Sequence, residues 1–465
     1  MTAHPLEPSV AELDALTAAC VAFVREHLRT LAEQPAADAE AAEALRPDFR
    51  EPVPESGRPI DQVLARLGPA IARSFNTAGP GYFAFIPGGG IPTAALADYV
   101  GLSTNRYVGV NKAAPALAEI EATTVRWMAS IVGYGAGAGG ILTSGGSMSN
   151  LLAIVAARAA KLPEAFFSGV LYTSRETHLS VSKSARVAGF PASHVRALPV
   201  DDRLRLDVRS LREAIEADAK AGRTPFLIVA NAGTTNTGAI DPLPEILRVA
   251  REHGLWVHAD AAYGGFFNLV PEARERLAGL DECDSVTLDP HKGLFLPYGT
   301  GCLVLRDPNA LHRAHAGEAE YLRDVASDDE TINFTDLSPE LSRDFRGLRL
   351  WLPLQLHGLG AFRAQLAEKL SLTRVAYEAL RNEPRLEIVD EPQLSIVAFR
   401  MKRGGDAATR ALLERVNAGR RVFLSSTVLG GKLTGRLCIL SFRSHADRVG
   451  EAVEAIQRGA AGIDP

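Results

Sequence analysis

The chain has 465 residues, a formal net charge of -5 and 46% hydrophobic residues. That length allows two or three structural units around a sizeable buried core. Mild acidity gives no reason to expect nucleic acid or an anionic membrane as partner, and no apolar run is long enough to span a bilayer.

The N-terminus, MTAHPLEPSVAELD, has no basic stretch followed by an apolar one, so no signal peptide is expected. Cys20, Cys283, Cys302 and Cys438 form no CxxC pair. Reduced, mostly buried thiols in a cytoplasmic protein are the expectation. Ser9-Val10-Ala11-Glu12 reads as a capping box. It opens a helical stripe of Leu13, Leu16, Cys20, Val24, Leu28 and Leu31. The Ala-, Glu- and Pro-rich stretch from Glu33 to Arg58 reads as a linker with a short helix. A helix set apart in this way must bury its stripe elsewhere, and a partner subunit is the expected cover. Residues 1–75 are therefore assigned to a helical dimerisation segment and linker.

From Ile141, strand-like runs alternate with helical stretches. The runs are ILTSG, GVLYTS, HVRALPV, FLIVANAG, LWVHADAA, SVTLDP and GCLVLRD. Helical patterns such as Asn150 to Lys161 and Pro242 to His253 lie between most of them. Such alternation predicts an α/β fold, a mostly parallel seven-stranded sheet with helices on both faces. Only a short Gly/Pro loop joins the last two runs, so one strand is predicted antiparallel. A long helical pattern follows from Trp351 to Arg381. Then come the strand LSIVAFRM, a helix over Ala407 to Ala418, the strands RVFLSST and RLCILSF, and a helix over Ala446 to Arg458. These divide the chain into a large domain over 76–350 and a small C-terminal α+β domain over 351–465.

Ligands of such sheets bind beyond the carboxyl ends of the parallel strands, and four motifs fall there. Gly135, Gly137 and Gly140 match G-x-G-x-x-G, but a strand follows them where a dinucleotide site needs a helix. The next segment, TSGGSMSN, leads into a helix expected to start near Asn150. Its free N–H groups suit a phosphate, with a glycine turn and N-cap as the alternative. His178 heads the strand-to-helix junction HLSVSKSARVAG, where it could stack on a flat ring or simply cap the helix. Asp260 ends the apolar run LWVHAD, a costly place for an acid unless it is paired. A metal on His258 and Asp260 is a rival that lacks a nearby third ligand. Ala262 is small enough for a planar ring to lie close. Lys292 sits in the apolar, Gly-rich loop DPHKGLFLPYG, where burial near a cation would lower its pKa and free its amine. A lysine and an acid at the ends of two buried strands is what pyridoxal phosphate chemistry needs.

In this order the motifs resemble those of the group II pyridoxal-phosphate decarboxylases, which act on aromatic amino acids, glutamate, histidine and related substrates. The resemblance runs from about Gly79 to Arg443. It is carried by GPGYFAFIPGGG, TSGGSMSN, HLSVSKSARVAG, ANAGTTNTGAID, HADAAYGG, DPHKG and FRGLRLW. It implies the fold type I architecture of the aspartate aminotransferases, pyridoxal 5'-phosphate as cofactor, an amino-acid substrate, and a homodimer with active sites at the subunit interface. By the resemblance Lys292 is the Schiff-base lysine, Asp260 pairs with the pyridine nitrogen, and His178 and Ala262 cover the two ring faces. Gly146, Ser147, Thr234 and His291 are implied phosphate or cofactor neighbours, and Phe85 and Tyr107 lie in stretches that line the substrate pocket.

Two departures stand out. Gly293 follows the lysine where many relatives are bulky. An ungapped count back from Phe345 puts Phe334 where relatives carry a proton-donating loop tyrosine, and a phenylalanine cannot donate a proton. In some relatives a phenylalanine there goes with decarboxylation coupled to oxidative deamination, giving an aldehyde. Tyr321 is a substitute donor. The expected reaction is decarboxylation of an L-amino acid to an amine. The aldehyde synthase is its alternative, and a transaminase using Arg346, Arg436 or Arg443 as carboxylate clamp is a more distant one. The stretch GYFAFIPGGGIP favours an apolar or aromatic substrate side chain.

Overall fold

A computed structural model describes residues 6–317 and 332–463. Its large sheet contains β1 (Gly139–Thr143), β2 (Gly169–Ser174), β3 (Val195–Leu198), β4 (Thr224–Asn231), β5 (Trp256–Asp260), β6 (Ser285–Leu288) and β7 (Gly301–Leu305). The spatial order is β1-β7-β6-β5-β4-β2-β3. β7 runs antiparallel to both neighbours and the other pairs are parallel. All seven predicted runs form these strands. The central ones are buried on both faces because helices cover each side, so they read as apolar runs and not as alternating patterns.

The small sheet contains β8 (Leu386–Ile388), β9 (Ile396–Met401), β10 (Ser425–Leu429) and β11 (Lys432–Cys438), in the antiparallel order β10-β11-β9-β8. The strand expected from RVFLSST begins four residues later, at Ser425, and the one expected from RLCILSF four residues earlier, at Lys432. Gly430 and Gly431, both at positive φ, place the hairpin turn between Leu429 and Lys432. The long helix Arg346–Arg381 breaks at Gly358 (φ 69°). Its side chains up to Leu370 pack in the large core, whereas Leu372, Ala376 and Leu380 pack in the core of the small sheet.

The capping box at Ser9 forms, with Glu12 bonded back to the Ser9 N–H at 2.8 Å. Its helix, Val10–Thr30, has no buried residue, and Leu13, Leu16, Val24 and Leu28 are exposed in the single chain. The expected linker holds a short helix, Ala39–Ala44, but a further helix, Ile60–Arg73, follows that the sequence reading did not single out. Pro69 interrupts its pattern. Cys283, Cys302 and Cys438 are buried, Cys20 is exposed, and all are free thiols. Among the described residues, no helix is long and apolar enough to cross a membrane.

Two helices and β1 are joined by a dry ion pair. Glu121, on the helix Pro115–Val132, accepts from Arg343 at 2.5 Å and from the Gly347 N–H at 3.0 Å. Arg343 also donates to the Leu142 carbonyl at 3.0 Å, and neither charged side chain is exposed. Removing one partner strands the other charge away from water. Glu121→Ala should therefore destabilise the fold by about 3–5 kcal/mol. Denaturant unfolding checks this, and Glu121→Leu with Arg343→Met should lose less than the single variant.

Candidate active site

A cavity of about 250 Å³ opens beyond the carboxyl ends of the parallel strands. Ser147, His178, Thr234, Asp260, Ala262, His291 and Lys292 all line it, as does Gly146. The sequence motifs therefore converge on one place, as the switch-point geometry of such sheets requires.

Lys292 is carried on a single helical turn, Pro290–Gly293, where an open loop was expected. Asp289, just before that turn, receives the Lys292 N–H at 2.8 Å on its backbone carbonyl and the Nζ at 2.9 Å on Oδ2. Burial disfavours the charged amine, but the Asp289 carboxylate outweighs it and holds the ammonium above its usual range. The expected lowering of this pKa is thus reversed, because the nearest charge is an anion and not a cation. Asp289 Oδ1 is buried without a partner. His291 donates from Nδ1 to the Thr300 carbonyl at 2.6 Å, which directs Nε2 away from that bond. The lysine turn is backed by the segment around Gly88, where an added Cβ would lie 1.8 Å from the His291 carbonyl oxygen. Only glycine allows that approach.

The helix that seats the glycine motif begins at Gly146, a full turn earlier than the expected Asn150, and its N-cap Gly145 has φ 148°, an angle only glycine adopts readily. A Cβ at Gly146 would come within 3.0 Å of Asp289 and 3.2 Å of Ala262. The missing side chain leaves room at a helix N-terminus whose first N–H groups face the cavity, a seat for a dianion. Thr234 is buried, its hydroxyl accepting from the Ala239 N–H at 3.1 Å.

Asp260 ends β5. Its Oδ2 accepts from Asn150 Nδ2 at 2.8 Å and its Oδ1 from the Ala262 N–H at 3.2 Å. His178 caps the helix Leu179–Val187, its Nδ1 accepting from the Ser180 N–H at 3.2 Å. Burial lowers its pKa, which favours the neutral ring. Both ring nitrogens of His258 are engaged in the protein, Nδ1 with Ser285 at 2.8 Å and Nε2 with Asn150 at 3.0 Å.

Three expected residues lie elsewhere. Phe334 is a core residue. It sits 1% exposed in the turn Phe334–Asp336, with the Arg343 guanidinium 5.0 Å from its ring. The turn is pinned by the Thr335 N–H on the Gly109 carbonyl at 3.2 Å and by Asn333 Oδ1 accepting from the Asn111 N–H at 2.9 Å. Counting back along the chain gave Phe334 the place of a mobile donor. In its own subunit the apolar ring packs in the core and does not line the Lys292 cavity. Tyr321 lies outside the described residues. Phe85 and Tyr107 are 55% and 40% exposed and do not line the cavity of their own chain.

The candidate clamps are engaged. Arg436, 3% exposed, donates to Asn236, Ser425, Phe85 and Thr235. Arg443 donates to the carbonyls of Ala78 and Gly89. Arg346 is held by Glu340, Asp344 and the Leu142 carbonyl. Two residues at the site, Asn150 and Asp289, are not marked as site residues by the sequence motifs. Helical spacing contains the signal for both, since Asn150 stands four residues after Gly146 and Asp289 three before Lys292.

An amine for an aldehyde, an acid at a strand end, and a small-residue gap at a helix N-terminus fit pyridoxal phosphate, and the fold and cavity belong to the enzymes that use it. Residues 43–402 match the family model described as pyridoxal-dependent decarboxylase conserved domain, and the chain belongs to that family. It is 32% identical over 453 residues to an aromatic-L-amino-acid decarboxylase of Bacillus atrophaeus, covering 96% of this chain and 94% of the relative. A phenylacetaldehyde synthase of Arabidopsis thaliana is 28% identical, covering 95% and 94%. The solved structure of Oryza sativa TDC with PLP and tryptamine superposes with a TM-score of 0.93 at 28% identity, covering 99% of both chains. Pyridoxal phosphate is thus the cofactor of this family.

The ion pair at the site makes a direct prediction. Asp289→Asn removes what favours the ammonium and leaves burial, which favours the neutral amine. In cofactor-free protein Lys292 should then react with an amine-directed reagent at lower pH than in wild type. Mass-spectrometric labelling across a pH series reads this.

Proposed function

We propose that the protein decarboxylates an aromatic L-amino acid, with Lys292 as the residue that holds the cofactor. The observation that carries this reading is the convergence of Lys292, Asp260, His178 and the Gly146 helix terminus on one cavity. The bound cofactor supplies an electron sink for the pair left when a bond at the substrate α-carbon breaks. Lys292 must lose a proton before its amine can attack, and the Asp289 carboxylate at 2.9 Å, which favours the ammonium, opposes that loss until the pair is separated. Asp260 keeps a proton on the ring nitrogen by presenting a fixed negative charge. His178 and Ala262 cover the ring, and the N–H groups at Gly146 and Ser147, with Thr234 and His291 nearby, hold the phosphate.

The family of named decarboxylases and the apolar GYFAFIPGGGIP stretch support an aromatic substrate. The transaminase reading loses its support, because all three candidate arginines are committed to other partners. A homodimer is supported by the apolar side chains left exposed on the helices Val10–Thr30 and Pro92–Thr104, among them Leu13, Leu16, Val24, Leu96 and Tyr99. In that assembly Phe85 and Tyr107 serve the partner's pocket. Phe85 suits this role. Its left-handed backbone (φ 51°) is pinned by the Ser425 hydroxyl and by Arg436, while its ring stays exposed. The unpaired thiols agree with a cytoplasmic location.

A second reading, oxidative deamination to an aldehyde, is favoured by the likeness to a phenylacetaldehyde synthase. Burial of Phe334 in its own subunit weakens the sequence argument for it.

Purified protein loaded with pyridoxal phosphate should release carbon dioxide and the matching amine from tryptophan, tyrosine or phenylalanine. Lys292→Ala should lose both the visible cofactor absorbance and turnover. Peroxide and ammonia formed in step with carbon dioxide would instead identify the aldehyde reaction. Phe334→Tyr should leave the amine-to-aldehyde ratio unchanged while lowering thermal stability, since the new hydroxyl enters an apolar site. Product analysis with a melting curve checks both halves.

A further inference from the structure

We propose that Asn150 is a positioning residue, the hub of a buried one-way hydrogen-bond chain that aims its amide N–H at Asp260. The inference rests on the reading of Asp260 as the partner of the cofactor's ring nitrogen. It concerns what holds that carboxylate in place.

The chain begins at Trp256, whose indole can only donate. Trp256 Nε1 gives its hydrogen to Ser285 Oγ at 2.9 Å. The Ser285 hydroxyl then has its own hydrogen free for His258 Nδ1 at 2.8 Å. His258 is fully buried, and burial lowers its pKa to about 4, so the ring is neutral. With Nδ1 accepting, its hydrogen lies on Nε2 and points at Asn150 Oδ1, 3.0 Å away. Thr287 donates to the same oxygen at 2.9 Å. The carbonyl end of the amide is therefore held by two donors.

The other end meets two acceptors. Asn150 Nδ2 donates to Asp260 Oδ2 at 2.8 Å and to Ser180 Oγ at 2.9 Å. Ser180 in turn serves His178 Nδ1 with both its hydroxyl, at 2.8 Å, and its backbone N–H. A backbone N–H only donates, so His178 Nδ1 must accept and the ring carries its hydrogen on Nε2. The orientation of the amide is fixed three times over: by the indole at one end, by the Ser180 N–H at the other, and by the Asp260 carboxylate between them. An Asn that could turn would as readily show Asp260 its oxygen, setting two acceptors face to face. Here it cannot turn without stranding His258 and Thr287.

Every member of this chain apart from His178 is less than a tenth exposed. The amide thus supplies Asp260 with its one side-chain donor among the described residues, leaving Oδ1 with the Ala262 N–H as its single protein donor. Removing that donor should weaken the hold of Asp260 on the ring nitrogen.

The test has a spectroscopic and a binding part. In wild-type protein carrying 15N-labelled histidine, with and without cofactor, His258 and His178 should both be neutral with the hydrogen on Nε2. A hydrogen on Nδ1 of either would overturn the one-way chain, whatever the role of Asp260. Asn150→Asp keeps the shape but replaces the donor by an acceptor. It should raise the cofactor dissociation constant about tenfold or more and give His258 the spectrum of the charged ring. Asn150→Ala should weaken cofactor binding similarly while His258 stays neutral. Dissociation constants within about twofold of wild type in the folded variants would sink the positioning role. If Asn150→Ala does not fold, Asn150→Asp and the wild-type spectrum decide.

Discussion

A negative charge at the end of a buried strand is the constraint on which this structure turns. Asp260 sits where β5 meets the cavity, 8% exposed, and its carboxylate survives there only because donors are brought to it. The donors come from two directions, the backbone just beyond the strand and a helix that crosses the sheet. That helix starts at Gly146, four residues before Asn150, and a side chain at its start would press on Asp289 and Ala262. Strand, helix and lysine turn are thereby fixed relative to one another by the need to satisfy one acid.

The second acid at the site works differently. Asp289 pairs with Lys292 directly, and one of its oxygens is left buried with no partner. Such a group is costly at rest. The two carboxylates are thus specialised by environment. One is held by two fixed donors, one on each oxygen, while the other pairs with the lysine ammonium on one oxygen and is only half satisfied.

Much of this was legible in the sequence. The strand runs could be read because parallel strands covered on both faces are continuous apolar stretches of fixed length. Residues at strand ends could be read because polar groups are conspicuous beside such runs, which is how Asp260, His178 and Lys292 stood out. What stayed hidden depends on distance through space. Asn150 looked like the first residue of a helix, and nothing local says that its amide meets His258 and Asp260 more than a hundred positions away. The charge next to Lys292 was in plain view as Asp289, yet its sign was overlooked in favour of a general rule about buried lysines. Phe334 shows another limit: position by counting carries no information about burial, and this aromatic ring packs in the core of its own subunit.

Residues near Gly88 tie the two halves of the molecule together. Phe83 is bonded into the small sheet through Phe423 and Cys438. Five residues on, Gly88 lies flush against the carbonyl that precedes Lys292. The segment is too short to slacken between these anchors. It acts as a tie rod, so a rigid-body rocking of the small sheet against the large one would be delivered at the lysine turn and not absorbed in a hinge. The small sheet and the turn that carries the amine are in this way joined by one short stretch of backbone.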